Sequence, residues 1–305
     1  MKKAISKLLT GVVAACALPL GAAGLDPPEA VGVCLKALLA QPEESRATLL
    51  SAQTLSADAM QTALWDIKGH LYTVGLLTLL GDTPSERRFA LSYYSQYPDL
   101  DSDYEAVPVA IKYLLVPTQY DWRNDITGVL HSLHGGRSPA TEQRRSRIRE
   151  ALDTTLQDKS KDWLSGLLIH AWGDSYAHTR NDFGTESERA YGPWVGHLLP
   201  SLVGNSPDDV KDERRKRKYI EYANALYRAI PKGDRANDAA FNAYLNDIAE
   251  RDCAKHECPV FQPPTETPRE PGPLESEMRR LKDCMDENAR ALTRTEIQQA
   301  IDLIH

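Results

Sequence analysis

Apolar residues recur along this chain at the three- and four-residue spacing of one helix face, and almost nowhere at the two-residue spacing of a strand. The spacing predicts a helix over 28–41, around AVGVCLKALLA. A longer one is capped by Ser56 and runs through SADAMQTALWDIKGHLYTVGLLTLLG to Gly81. Pro84 opens the next, PSERRFALSYYSQY, and Pro98 is expected to stop it. Further helices are predicted over 142–157, from near Ser160 to about Thr179, from Ser206 or Asp208 through DDVKDERRKRKYIEYANALYRAI, and over 234–252. Two more close the chain, over 274–290 and 293–304. No alternating apolar run lies between turn dipeptides. The fold class is therefore all-α: a multi-helix bundle enclosing a metal site, with a C-terminal helical tail.

The proline-rich stretch PVFQPPTETPREPGP interrupts this pattern and reads as an extended linker. It divides the chain into a body over 25–258, a linker over 259–273 and a tail over 274–305. The run KDERRKRK is read as a solvated helix face of mixed charge.

The first residues, MKKAISKLLTGVVAACALPLGAAG, carry a basic start, an apolar run and small closing residues. That is the order of a signal peptide over 1–24, too short for a membrane span. Cleavage near Ala23 or Gly24 is expected, with a lipoprotein-type cleavage before Cys16 as the rival. Either way the protein is exported, to the periplasm or the medium. No later run is apolar and long enough for a transmembrane segment. Removing residues 1–24 takes away three lysines and no acid, so the net charge of −7 becomes −10. A chain this acidic is a poor general binder of nucleic acid or anionic membrane, so nucleic acid enters only as a substrate at a locally cationic site.

Four cysteines remain: Cys34, Cys253, Cys258 and Cys284. In an oxidising compartment they form up to two disulfides, by any of three pairings. Cys253, His256 and Cys258 in CAKHEC also admit a metal reading; a staple between tail and body is the plainer one.

The chemistry is concentrated in histidine. Six of the eight histidines fall between His70 and His197. In HAWGDSYAH, His170, Asp174 and His178 stand four apart, about one helical turn, so one flank presents imidazole, carboxylate and imidazole. Those are donors suited to zinc. His70, Asp99, His131, His134 and His197 are the other candidate ligands, His131 and His134 as alternatives; Asp99 is also the candidate catalytic base. Asp66 and Asp208 are further carboxylates near the set. HExxH, ExxH, a His-Asp dipeptide, GxSxG and a Gly-rich phosphate loop are all absent, which excludes the enzyme classes they mark.

The order His, Asp, His, then HxxxDxxxH, then Gly-His resembles the zinc-dependent phospholipase C superfamily, whose other branch is the zinc-dependent single-strand nucleases. HAWGDSYAH and HLYTVGLLTLLGDTPSERRFALSYYSQYPD carry the likeness, which spans roughly 65–209. The resemblance implies two or three Zn2+ ions and a phosphoester substrate, phospholipid foremost. His131 or His134, with His170 and Asp174, would hold one zinc. Asp174 would bridge to a second, also held by His70. His178 and His197 would hold a third. Asp99 would orient or deprotonate the attacking water, or ligate. Two positions depart from the family pattern: no tryptophan begins the mature chain, and Ser201 stands where the family has a glutamate. A metal-binding protein without catalysis is the alternative reading.

Overall fold

Two prolines open the first helix, α1 (Pro27–Leu39), where a missing N–H costs no hydrogen bond. The computed structural model describes residues 24–40, 68–113, 116–193, 213–250 and 273–305. After α1 come α2 (Thr73–Leu80), α3 (Ser85–Leu100), α4 (Ala106–Lys112), α5 (Tyr120–Asn124), α6 (Ser138–Thr155) and α7 (Asp162–Ala177). Then follow α8 (Glu213–Ala229), α9 (Asp238–Glu250), α10 (Pro273–Asn288) and α11 (Arg294–Ile304). About three-quarters of the described residues are helical, with almost no strand, and the fold is an all-α multi-helix bundle. Among them no helix is long and apolar enough to cross a membrane.

Helix α7 is the axis of the bundle. Leu164 through Ala177 are all buried, so the helix is covered on every side. Gly166 lets α3 approach it: a Cβ there would lie 2.5 Å from the Tyr94 Cβ and 2.9 Å from the Tyr94 backbone carbon. Every residue of α2 is buried as well. Among the described residues the sheet structure is a two-stranded ribbon, β1 (Thr179–Arg180) paired antiparallel with β2 (Arg189–Ala190).

Three expectations change. The sequence predicts that Pro98 stops α3, but the helix continues to Leu100. Proline withholds only its own N–H, from the Tyr94 carbonyl, and its φ suits a helix; the next turn still closes, Asp101 N–H donating to the Tyr97 carbonyl at 3.3 Å. Two π-helical turns, Lys68–Tyr72 before α2 and Asp125–Leu130 after α5, were not legible, and they lead into His70 and His131. Residues 274–305, read as a tail, supply the core itself: Leu274, Met278, Leu281 and Met285 of α10 and Ile297, Ala300, Ile301 and Ile304 of α11 are buried in the same cluster as α7. Their apolar faces need a partner, and the body provides it.

The segment from residue 25 and α10 are tied together. Cys34 of α1 is bonded to Cys284 of α10. Leu25 N–H donates to the Asn288 carbonyl at 2.7 Å, and Arg290 N–H returns to the Leu25 carbonyl at 2.9 Å. Cys253, Cys258, His256, residues 259–272 of the linker and residues 1–23 of the leader lie outside the described residues.

Candidate metal centre

Four helical segments converge on the carboxylate of Asp174, which is buried in α7. One turn before it, His170 presents Nε2 at 3.2 Å from Asp174 Oδ2. His131, at the end of the second π-helical turn, places Nδ1 at 3.1 Å from the same oxygen. The two ring nitrogens lie 3.1 Å apart. From the first π-helical turn, His70 Nε2 reaches the other oxygen, Asp174 Oδ1, at 3.2 Å. Asp99, in the last turn of α3, is the partly solvent-exposed member, its side chain 30% exposed. Its Oδ1 is 3.8 Å from His131 Nδ1 and its Oδ2 is 4.0 Å from His70 Nε2. Gln96 Nε2 donates to Asp99 Oδ2 at 3.1 Å and so orients it.

The opposite edges of the rings explain why these nitrogens converge. His170 Nδ1 donates to the Ser95 carbonyl at 2.9 Å. His131 Nε2 donates to the Tyr104 carbonyl at 2.9 Å. His178 Nδ1 donates to the His131 carbonyl at 2.7 Å. A carbonyl only accepts, so each of these nitrogens carries the ring proton. In the neutral rings, His170 Nε2 and His131 Nδ1 are then bare lone pairs facing each other beside a carboxylate. Such an arrangement calls for a cation between them, and backbone-anchored imidazoles are the usual support of metal ligands.

The donor set fits a metal. Four ligands about 2.0–2.1 Å from zinc form a tetrahedron with edges of about 3.3 Å. His131 Nδ1, His170 Nε2 and Asp174 Oδ2, separated by 3.1, 3.1 and 3.2 Å, have the dimensions of one face of it. His70, His170 and Asp174 form one group able to hold an ion, and Asp99, His131 and His170 a second. Where no cation is bound, protons take its place on these ring nitrogens. Burial acts to raise the Asp174 carboxyl, but the charges of His178 and His170 and the hydrogen bonds from His131 and His170 outweigh it, holding the group well below the carboxylate range. Burial acts to lower His170, and the carboxylates of Asp174 and Asp99 reverse this.

His178 is buried beside the set, its Nδ1 3.6 Å from Asp174 Oδ2. His197, its expected companion, lies outside the described residues, as do Asp66, Ser201 and Asp208. His134 does not join the cluster: its Nδ1 accepts from Gly136 N–H at 3.1 Å. Burial, then the charges of Arg144 and Arg145, lower its pKa to about 4. Between His131 and His134, only His131 faces Asp174.

Several supporting groups were not apparent from the sequence. The carbonyls of Ser95 and Tyr104 carry no side-chain signal. Gly173 accommodates His70 and Tyr222: a Cβ would meet His70 Cε1 at 3.1 Å and the Tyr222 hydroxyl at 3.2 Å. Glycine in the HAWGD motif was the only hint. Burial, then the charge of Asp99, raises the Glu105 carboxyl, which places it in the field of the centre.

Comparisons with protein-family models, with curated proteins and with solved structures each find no match.

Proposed function

We propose that this protein is an exported zinc-dependent phosphoester hydrolase of the phospholipase C-like kind. One observation carries the reading: two imidazole nitrogens, their rings anchored from behind by backbone carbonyls, and a carboxylate oxygen lie at the separations of a zinc ligand face. His131, His170 and Asp174 would hold one ion; His70, the second oxygen of Asp174 and Asp99 would hold another. Bound zinc supplies a water of pKa about 7 and polarises a phosphoryl oxygen, and a pair of ions clamps the attacking and leaving oxygens. The part-exposed Asp99 carboxylate would take or orient the proton of the attacking water. Gln96 holds that carboxylate in place.

Purified mature protein should contain one to three zinc ions and hydrolyse a chromogenic phosphodiester. Release of head group from phosphatidylcholine, set against digestion of single-stranded DNA, then separates the lipase and nuclease forms. Asp174→Ala should lose metal and activity together; Asp99→Ala should keep the ion held by His131 and His170 while turnover drops. Equal loss of all metal in Asp99→Ala would make Asp99 an essential ligand and remove the base assignment. Stoichiometric zinc without turnover on any phosphoester would favour the non-catalytic metal protein. Two features support that second reading: Ser201 in place of a glutamate, and the Leu25 backbone bonded to residues 288 and 290 at the start of the mature chain.

A further inference from the structure

Next to the metal centre the small ribbon does something a sheet ordinarily avoids. Arg180 of β1 lies directly opposite Arg189 of β2. Arg189 is also bridged, on its other side, to Arg137. Residues opposite each other in antiparallel pairing project from the same face. Arg137, Arg189 and Arg180 therefore form one row across the two strands and the bridged segment beside them. All three are exposed, while their neighbours Thr179 and Ala190 are buried, so the row faces solvent. Like charges set opposite one another destabilise a ribbon. No ion pair or side-chain hydrogen bond to these three guanidinium groups occurs among the described residues; Arg180 only lies over the Tyr191 ring, 4.5 Å from its centroid. The nearest acids in the sequence are otherwise placed: Glu188 is buried against Arg145, and Asp182 and Glu186 sit on the exposed turn of the ribbon. In a protein of net charge −7, three aligned arginines without a carboxylate are a specific local departure.

The row is built onto the centre. Tyr191 N–H donates to the His178 carbonyl at 2.9 Å, and Gly135 N–H to the Tyr191 carbonyl at 2.8 Å. Ala190 N–H donates to the Gly136 carbonyl at 2.8 Å. His178 in turn holds the His131 carbonyl. Arg180 is two residues from His178, within about 7 Å along the chain.

We propose that Arg137, Arg180 and Arg189 bind consecutive phosphates of a phosphate chain. Neighbouring strands lie about 4.8 Å apart, so the outer two guanidinium groups start about 9.5 Å apart and exceed the reach of one phosphate. Arginine's planar fork takes phosphate oxygens in pairs. A zwitterionic lipid head group offers a single phosphate and would engage one arginine at most. As an anion site the row stands alone; as the substrate subsite of the metal centre it rests on the hydrolase reading, and it then favours a substrate with several linked phosphates, either a polynucleotide strand or a free polyphosphate.

The test uses the full mature protein with its metal. Binding of a fluorescein-labelled 12-mer of deoxythymidine and of tripolyphosphate is measured over a salt series, for wild type and for the triple variant Arg137→Gln, Arg180→Gln, Arg189→Gln. The triple variant should bind at least one probe about tenfold or more weakly. For the oligonucleotide its salt slope should fall by about 2, since each phosphate neutralised on a single strand contributes about 0.7. Weakening for one probe alone identifies which source is bound. Melting temperature should hold or rise slightly, since the like charges are removed, and zinc content should hold, because the side chains are exposed and touch no ligand. His170→Ala should lose zinc and keep anion binding; this arm separates failure of the metal reading from failure of the anion site. Equal affinity and salt slope in wild type and triple variant, or no binding of either probe by wild type at 1 mM, overturns the proposal.

Discussion

At the scale of single residues, the centre depends on positions that leave room as much as on ligands. Gly173 bears directly on a ligand, because a methyl group would press on both His70 and Tyr222. Gly173→Ala should tilt His70 away from Asp174 and weaken zinc binding about 10–100-fold, the size seen when ligand support is lost. Competition with a chromogenic chelator measures this; unchanged affinity would mean that the ring has slack. His134 gives a prediction of the opposite kind. Its folded-state pKa of about 4 lies below the ordinary 6.5, because burial and the charges of Arg144 and Arg145 disfavour the proton. The unfolded chain therefore takes up the proton first. Stability from this group is fully present above about pH 6.5 and is lost as the pH falls toward 4. Urea unfolding of metal-free protein at pH 7 and pH 5 should show a smaller acid loss in His134→Gln than in wild type. Equal losses would assign the acid sensitivity elsewhere.

At the scale of elements, α3 and α7 form the joint on which the site is hung. Gly166 brings the backbones together, and one turn further along α7 His170 reaches the Ser95 carbonyl. Gly166→Ala should push the helices apart at a cost of about 1–3 kcal/mol, as overpacking does. Lengthening of the His170–Ser95 bond should release the ring, so zinc affinity and melting temperature should fall together. A fall in melting temperature with unchanged zinc affinity would show that the joint and the centre are independent. The elements were largely readable because their apolar faces repeat at helical spacing. Their boundaries were not: Pro98 sits inside α3, since one absent N–H near a helix end leaves the neighbouring hydrogen bonds intact. The π-helical turns leave no period of their own in the sequence, yet they lead into two of the histidines.

Over the whole molecule, the segment that composition set apart as a tail is the part that closes the core. Cys34 and Cys284 are 250 residues apart in sequence and join its first and last regions. Cross-linking a loop of that length stabilises by roughly 2–5 kcal/mol through the unfolded chain. Cys34→Ser should therefore lower the melting temperature by several degrees while zinc stoichiometry holds, since the bond joins α1 to α10 and neither helix carries a ligand of the centre. Loss of zinc with the disulfide would show that α1 and α10 hold the centre as well as the core.

The sequence by itself determined the helical class, the flank of HAWGDSYAH, and the pool of imidazoles and carboxylates from which a site could be drawn. Those are local properties, set by spacing along one segment. It did not determine which of His131 and His134 turns inward, that Ser95 and Tyr104 lend their carbonyls, or that Arg137 lines up with Arg180 and Arg189. Those choices depend on which segments meet, and main-chain acceptors, helix crossings and strand register exist only once residues distant in sequence have been packed against one another.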